Sequence, residues 1–205
     1  MAGTVIRSFA APGTLPMGLA WDGRTLWNVD YNTRLIYQLD PATGTVIRSF
    51  ASPSNYPTGL AWDGRTLWNV DSDSLKIYQL DPATGKVIRS FASPAGWPQG
   101  LAWDDRTLWN VDLASLKIYQ LDPATGKVIR SFASPSTVPM GLAWDRRTLW
   151  HSDLASLKIY QLDPATGTVI RSFASPAASP RGLAWDGRTL WNSESASRKI
   201  YQLSV

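Results

Sequence analysis

The phrase Gly-Leu-Ala-Trp-Asp begins at Gly18 and returns at Gly59, Gly100, Gly141 and Gly182, each time 41 residues further on. Five such intervals make 205 residues, the whole length of the chain. A fixed period of roughly 20–50 residues marks a solenoid, a propeller or an array, because each repeat buries its apolar surface only against its neighbours. The period therefore constrains the fold before any single residue does.

One copy, Gly18 to Ala51, reads as four short runs. Gly18–Asp22 is apolar, and Asp22-Gly23 after it is tight-turn chemistry, since Gly accepts positive φ and Asp tolerates it. Thr25–Asp30 is the second run, Ile36–Leu39 the third and Val46–Phe50 the fourth. Asp40-Pro41-Ala42-Thr43-Gly44 is a second turn signal, with Pro fixing φ and Asp able to accept nearby backbone N–H groups. No run reaches helical length, and Ile, Val, Trp, Tyr, Leu and Phe dominate all four. Pro is expected only in the connections, as a sheet ladder requires. Four antiparallel strands per repeat predict an all-β, five-bladed β-propeller forming one domain over residues 1–205.

The chain ends sharpen this. It begins inside a fourth strand (Thr4–Phe9) and ends after a third (Ile200–Leu203). Laid end to end, Ser204-Val205-Met1-Ala2-Gly3 fills the slots of Asp40–Gly44 with no residue missing. Residues 1–10 are thus expected to complete the last blade, closing the ring without a free edge. A ring closed this way predicts a monomer. The rival arrangement lets near-identical blades from several chains build a ring of another size.

Ten of the 11 Trp residues fall in two columns. Trp21, Trp62, Trp103, Trp144 and Trp185 lie in the first run, and Trp27, Trp68, Trp109, Trp150 and Trp191 in the second. Both columns are expected to be structural, filling the wedges between blades. Trp97 belongs to neither.

The five copies also provide their own comparison. Setting the chain ends aside, 26 of the 41 columns are identical in all copies and 15 differ. Of the 15, 13 lie between Asn28 and Leu35 or between Ser52 and Thr58, which strand direction places on one pole of the ring. A rigid scaffold with variable loops on one face is the arrangement that recognition surfaces use. The slot before an unvarying Pro holds Leu15, Tyr56, Trp97, Val138 and Ser179; the slot after it holds Met17, Thr58, Gln99, Met140 and Arg181. Tyr31, Tyr56, Trp97, Gln99 and Arg181 are the candidate ligand-binding residues, and aromatic faces beside an amide suit a sugar ring. A glycan or a protein is the expected partner.

The polar end of the second run forms two further columns. Asn28, Asn69, Asn110, His151 and Asn192 make one; Asp30, Asp71, Asp112, Asp153 and Glu194 make the other. Spacing of two puts both on the same strand face. The acidic column is expected to cap the loop that follows it. The alternative is a cation ring, since Ca²⁺ takes carboxylate and amide oxygens. His151 is the only His, so neither a zinc site nor a catalytic triad can be assembled around it from residues of the usual types. No cofactor motif is present.

Three functional readings remain. The first is a non-enzymatic binding module working through the variable face. The second is a symmetric scaffold, designed or recently amplified, with no selected ligand. The third is a cation-assisted hydrolase or lyase using the Asn and Asp columns. Net charge is +4, but the arginines are dispersed by the repeat, so no continuous basic patch suggests nucleic acid. No apolar run approaches a membrane span, and Met1–Thr4 has no signal-peptide pattern, so a soluble protein is expected with its compartment open. There is no Cys.

The blade sentence GLAWDGRTLWNVD…KIYQLDPATGKVIRSFASP resembles propeller blades of the NHL/YVTN type, and at the level of fold the five-bladed glutaminyl cyclotransferase-like group. The resemblance covers the whole chain and implies blade architecture. For the enzymes of that fold it would imply acidic and Asn or His groups at the top of the channel, which only the Asn28 and Asp30 columns match.

Overall fold

The computed structural model describes residues 2–205 and contains no helix among them. Its first full blade comprises β2 (Pro16–Trp21), β3 (Leu26–Asp30), β4 (Leu35–Leu39) and β5 (Val46–Ala51). β1 (Val5–Ala10) precedes it. The second blade is β6 (Pro57–Trp62), β7 (Leu67–Asp71), β8 (Lys76–Leu80) and β9 (Val87–Ala92). The third is β10 (Pro98–Trp103), β11 (Leu108–Asp112), β12 (Lys117–Leu121) and β13 (Val128–Ala133). The fourth is β14 (Pro139–Trp144), β15 (Leu149–Asp153), β16 (Lys158–Leu162) and β17 (Val169–Ala174). β18 (Pro180–Trp185), β19 (Leu190–Glu194) and β20 (Lys199–Leu203) form the last blade with β1, in the order β1-β20-β19-β18. The protein is a five-bladed β-propeller of four-stranded antiparallel blades.

The closure reproduces a turn whose chain is cut. In an intact blade Gly44 N–H donates to Asp40 O at 2.8 Å and Asp40 N–H to Thr45 O at 2.9 Å. At the seam Gly3 N–H donates to Ser204 O at 2.8 Å and Ser204 N–H to Thr4 O at 2.9 Å. β1 then pairs with β20 from Val5 opposite Leu203 to Ala10 opposite Lys199. Met1, which fills one slot of the split turn in sequence, lies outside the described residues.

The first strand of each blade begins earlier than the sequence suggests. Pro16, Pro57, Pro98, Pro139 and Pro180 are the first residues of β2, β6, β10, β14 and β18, not parts of the connections. A Pro at a strand start gives up no ladder bond from mid-strand. The register breaks just after it, with Pro16 opposite Asp30 but Leu19 opposite Asn28.

Five wedges make up the core. Between the first two blades, Ala20, Trp27, Val29 and Ile36 meet Leu60, Leu67 and Leu80. The same set recurs at the other junctions, except that the last two blades have Ser152 and Ser193 in the Val29 column. The second-strand indoles are about fully buried, at 1–2% exposure, and each packs against a Phe of the outer strand at 5.8–5.9 Å. A buried Trp removes roughly 150–250 Å² from water, worth about 4–6 kcal/mol at most. Its Nε1 donates to the turn aspartate of its own blade, at 2.9 Å from Trp27 to Asp22. In four blades an outer-strand arginine lies over the same indole, as Arg48 does over Trp27 at 5.4 Å. At the seam Gln202 Oε1 is buried without a partner.

The first-strand indoles pack against the wedge clusters and also reach the channel. Trp21, Trp62, Trp103, Trp144 and Trp185 are half-buried, and they ring the lower end of the central channel while touching the wedge clusters at their edges.

The repeated glycine has its own reason. A Cβ on Gly18 would lie 2.5 Å from Leu60 N, and one on Gly100 would lie 2.5 Å from Met140 O. These neighbours are backbone atoms of the next blade and cannot turn aside. Gly100→Ala is therefore expected to cost about 2–3 kcal/mol in denaturant unfolding; a loss near zero would show that the inner strands can separate. A second test concerns the turn glycines. Gly23, Gly64 and Gly187 take φ between 93° and 96°, while Asp105 and Arg146 stand in the same column at φ 72° and 76°. Asp tolerates this region better than Arg, because its short polar side chain can bond the local backbone. Arg146→Gly should gain about 0.5–1 kcal/mol and Asp105→Gly less, with the reverse ranking counting against strain at this turn.

Candidate functional site

Seen down the ring axis, the first strands start at the pole where the second strands end. The residue after the strand-opening Pro stands at the channel mouth, so Met17, Thr58, Gln99, Met140 and Arg181 encircle it. A cavity of about 180 Å³ opens there. Its wall is completed by Leu15 and Trp97 from the slot before the Pro, and by Tyr31, Ser72 and Leu113 from the residue after the acidic column. Every one of these residues belongs to a column in which the five copies differ.

Four of the five ligand-binding candidates, Tyr31, Trp97, Gln99 and Arg181, are brought to this one cavity. Trp97 is 53% exposed, the most exposed of the tryptophans, and offers free indole surface. Gln99 is 4% exposed, and its side-chain amide makes no hydrogen bond within the protein. An amide standing in a cavity wall can donate to and accept from a ligand's hydroxyl groups. Tyr56 is the exception among the five. It stacks on Tyr31 at 5.1 Å and 9° and stands outside the cavity wall, supporting the ring that lines it. Burial, then the neighbouring Tyr56, Asp71 and Asp73, raises the Tyr31 phenol above its ordinary value, so it is neutral at physiological pH.

Arg181 closes one side. Its Nε donates to Ser195 Oγ at 3.1 Å and its Nη1 lies 3.2 Å from Met140 Sδ. Burial lowers its pKa and the Glu194 carboxylate opposes that shift; a guanidinium stays charged in either case. The backbone beneath these residues is clasped by serines where other blades have Val. Ser152 Oγ accepts from Gly141 N–H at 2.8 Å and donates to Arg181 O. Ser193 Oγ accepts from Gly182 N–H at 2.8 Å and donates to Met17 O. Sequence reasoning passed over Ser72 and the two serines; only the variability of their columns could have drawn attention to them.

The acidic column has a definite task. Asp112 Oδ2 accepts the backbone N–H of Trp97 at 2.6 Å, and its Oδ1 accepts the N–H and hydroxyl of Ser115 at 2.7 and 2.9 Å. One carboxylate thus ties the loop carrying Trp97 to the turn after β11. Asp30 does the same for Leu15 and Thr33, and Asp71 for Tyr56 and Ser74. Asp153 holds Val138 and Ser156. Glu194, one methylene longer, bonds only the N–H groups of Ala196 and Ser197 in its own turn. These carboxylate oxygens are engaged by loop backbone, and among the described residues no three His, Asp or Glu side chains are grouped as a metal site would group them.

The Asn column is equally buried, at 0% exposure. Asn28 Nδ2 donates to Gly18 O at 3.1 Å, fixing the inner hairpin. Its Oδ1 has no partner, nor do those of Asn110 and Asn192. His151 replaces this amide with its ring. Nδ1 must donate to Gly141 O at 3.1 Å, which leaves Nε2 to accept from Ser134 Oγ at 3.2 Å. Neither nitrogen faces the cavity, so the one imidazole in the chain cannot meet a ligand there.

No protein-family model matches the chain, and no curated protein does. Solved structures do. A glutaminyl cyclase from Myxococcus xanthus superposes with a TM-score of 0.83 at 15% identity, over 98% of this chain and 95% of that one. A catalytically inactive virginiamycin B lyase from Staphylococcus aureus, solved with quinupristin, gives 0.61 at 17%, over 96% and 83%. The WD40 propeller domain of Doa1 gives 0.61 at 12%, over 91% and 62%. At these identities the likeness is one of fold.

His151 makes the fold sensitive to acid. Desolvation depresses its pKa from 6.5 to about 4, against the smaller opposing effects of Gly141 O and Asp153. The unfolded chain then binds a proton that the native state refuses, so stability falls as pH drops from about 6.5 to about 4, by up to about 3 kcal/mol. His151→Asn, which restores the residue of the other four copies, should flatten unfolding free energy across that window. A slope unchanged from the parent chain would refute the assignment.

Proposed function

We propose that the protein is a non-enzymatic binding module whose upper cavity takes a single sugar ring of a glycan. One observation carries the reading: every lining residue of the cavity comes from a column the five copies do not share, while the scaffold columns stay fixed. Recognition requires a local departure from symmetry, and here the departures gather around one hollow. Its chemistry suits a pyranose. The Trp97 face offers an apolar platform for the C–H face of the ring. The unpaired Gln99 amide and the remaining guanidinium donors of Arg181 face the same space, ready for hydroxyl groups. A protein partner would require a broad surface of roughly 800 Å² on each side, whereas the distinctive residues surround a small concavity.

The absence of catalysis from this reading rests on where the reactive groups lie. The acidic column is consumed by backbone N–H groups and His151 is enclosed, so the cavity offers no free carboxylate or imidazole for proton transfer. The enzymes of like fold share architecture with this chain, and fold does not transfer activity.

The test is a glycan array followed by titration of the best binder, read by intrinsic fluorescence. Trp97→Ala is expected to weaken binding about tenfold, and Gln99→Ala about threefold to tenfold. Neither variant should alter the melting temperature by more than a degree or two. Absence of any glycan binding, or retention of full affinity by Trp97→Ala, would overturn the proposal.

A further inference from the structure

The last blade differs from the others in one respect: no turn joins its outer strand, β1, to the strand it pairs with. β1 has the same six residues, Val-Ile-Arg-Ser-Phe-Ala, as β5, β9, β13 and β17. Its ladder with β20 follows theirs, and Phe9 packs on Trp191 at 5.8 Å as the other Phe residues do on their indoles. The arginine does not follow. In the four other blades its Nε donates to the glutamine opposite at 2.6 Å, and its guanidinium lies 5.2–5.5 Å over the indole. In three of them Nη1 also donates to a turn carbonyl of the next blade, as Arg48 does to Ala83 O at 3.3 Å. Arg7 is exposed and makes none of these contacts among the described residues, and Gln202 Oε1 opposite it is buried without a partner.

The segment leading out of β1 is loosened as well. The residue after the outer strand is Ser52, Ser93, Ser134 or Ser175 in the other copies and Ala11 here. Two of those serines reach the buried polar column of the next blade: Ser52 Oγ donates to Asn69 Oδ1 at 3.3 Å, and Ser134 Oγ bonds His151 Nε2 at 3.2 Å. Ala11 has no hydroxyl to offer Asn28, whose Oδ1 is unpartnered. Ala11 to Leu15, with Pro12 and Gly13 among them, then form the link to β2, and five extended residues reach roughly 17 Å.

A strand held by its ladder and one aromatic contact opens more readily than four equivalents that are also tied by arginine and by a covalent turn. When β1 leaves, it uncovers the edge of β20 and the face of Trp191, a seat that fits Val-Ile-Arg-Ser-Phe-Ala. An uncovered edge pairs with whatever strand matches it. A second copy of the chain carries that sequence on the same loosely held strand. We propose that the last blade is a strand-exchange interface between two copies of this chain, in which Val5–Ala10 of each copy completes the last blade of the other. Two copies that trade strands keep every ladder bond of two separate rings, so the exchanged pair differs from two monomers only in its linkers and in the entropy of association. A strand on a short linker is present at an effective concentration of order millimolar. The closed monomer is therefore the dilute form, and the exchanged pair gains weight as the protein nears that concentration.

The chain has no Cys, which allows a thiol trap without background. Ala10 stands opposite Lys199, both exposed, and Ala11 N–H donates to Arg198 O at 2.9 Å just beyond them. That bond makes Ala10 and Lys199 a non-hydrogen-bonded pair, with Cα atoms about 4.5 Å apart, a spacing that a disulfide bridges. Full-length Ala10→Cys and ¹⁵N-labelled full-length Lys199→Cys are mixed at about 1 mM, warmed below the melting temperature, cooled and oxidised in glutathione buffer. The expected product, read by mass spectrometry of the digest, is a disulfide joining the unlabelled β1 peptide to the labelled β20 peptide. It should be about tenfold scarcer after mixing at about 10 μM. The double variant Ala10→Cys/Lys199→Cys, oxidised while dilute, should close within one chain and stay monomeric by light scattering at the concentration where the parent chain forms dimers. Absence of the mixed disulfide would overturn the proposal. So would dimers of the closed double variant as abundant as those of the parent, since the contact would then lie elsewhere, or a double variant that fails to close within its own chain.

Discussion

The close approach of five backbones around the axis governs everything else in this molecule. At Gly18 and its copies, neighbouring first strands come so near that a methyl group would sit 2.3–2.5 Å from the next blade. Contact that close fixes the inner radius of the ring. With the radius set, blades diverge outward and leave wedges that only large side chains fill, which explains why the second-strand Trp pairs with an outer-strand Phe at every junction. The same constriction divides the channel. Residues above the glycine face the upper pole and those below it face the lower, so one five-residue run supplies two separate mouths.

Much of the architecture was legible because periodicity and turn chemistry agree at every level. The 41-residue interval, the Asp-Gly and Asp-Pro-x-Thr-Gly turns and the split turn at the chain ends all point to one ring, and the seam repeats the hydrogen bonds of the uncut turns. Two local features were not legible, for different reasons. Pro16 starts β2 although Pro suggests a connection, because a strand's first residue can lack a donor without loss. Trp21 and Trp27 look equivalent in sequence, six residues apart in one hairpin, yet one is half-buried between the wedge edge and the channel and the other is fully buried in the wedge. Hydrophobicity does not distinguish those destinations; only the radius of the ring does.

The upper site was legible in a more limited way. Variability between copies marked the columns, and Tyr31, Trp97, Gln99 and Arg181 meet at one cavity. Variability does not say which of 13 columns share a space, and it gave Tyr56 the same weight as Trp97, although Tyr56 serves as a stacked support. Nor could it show what the acidic column does. That column is shared by every blade but one, and its carboxylates tie the variable loops to the fixed strands. The invariant residues are thus what hold the varying ones in place.

A symmetric ring poses a problem for recognition: five equal subsites around an axis present the same group five times to a ligand that has no such symmetry. The two ends of the channel differ in this respect. At the upper one the post-Pro slot carries two Met, a Thr, a Gln and an Arg, so each direction around the axis differs in chemistry. At the lower one the Trp column is identical in all five blades, and only Gly, Asp or Arg at the turn perturbs it. A directional ligand with distinct faces belongs to the first kind of site. Five identical indoles present the same group in every direction, whereas the varied slot after the Pro gives the upper cavity a different chemistry on each side.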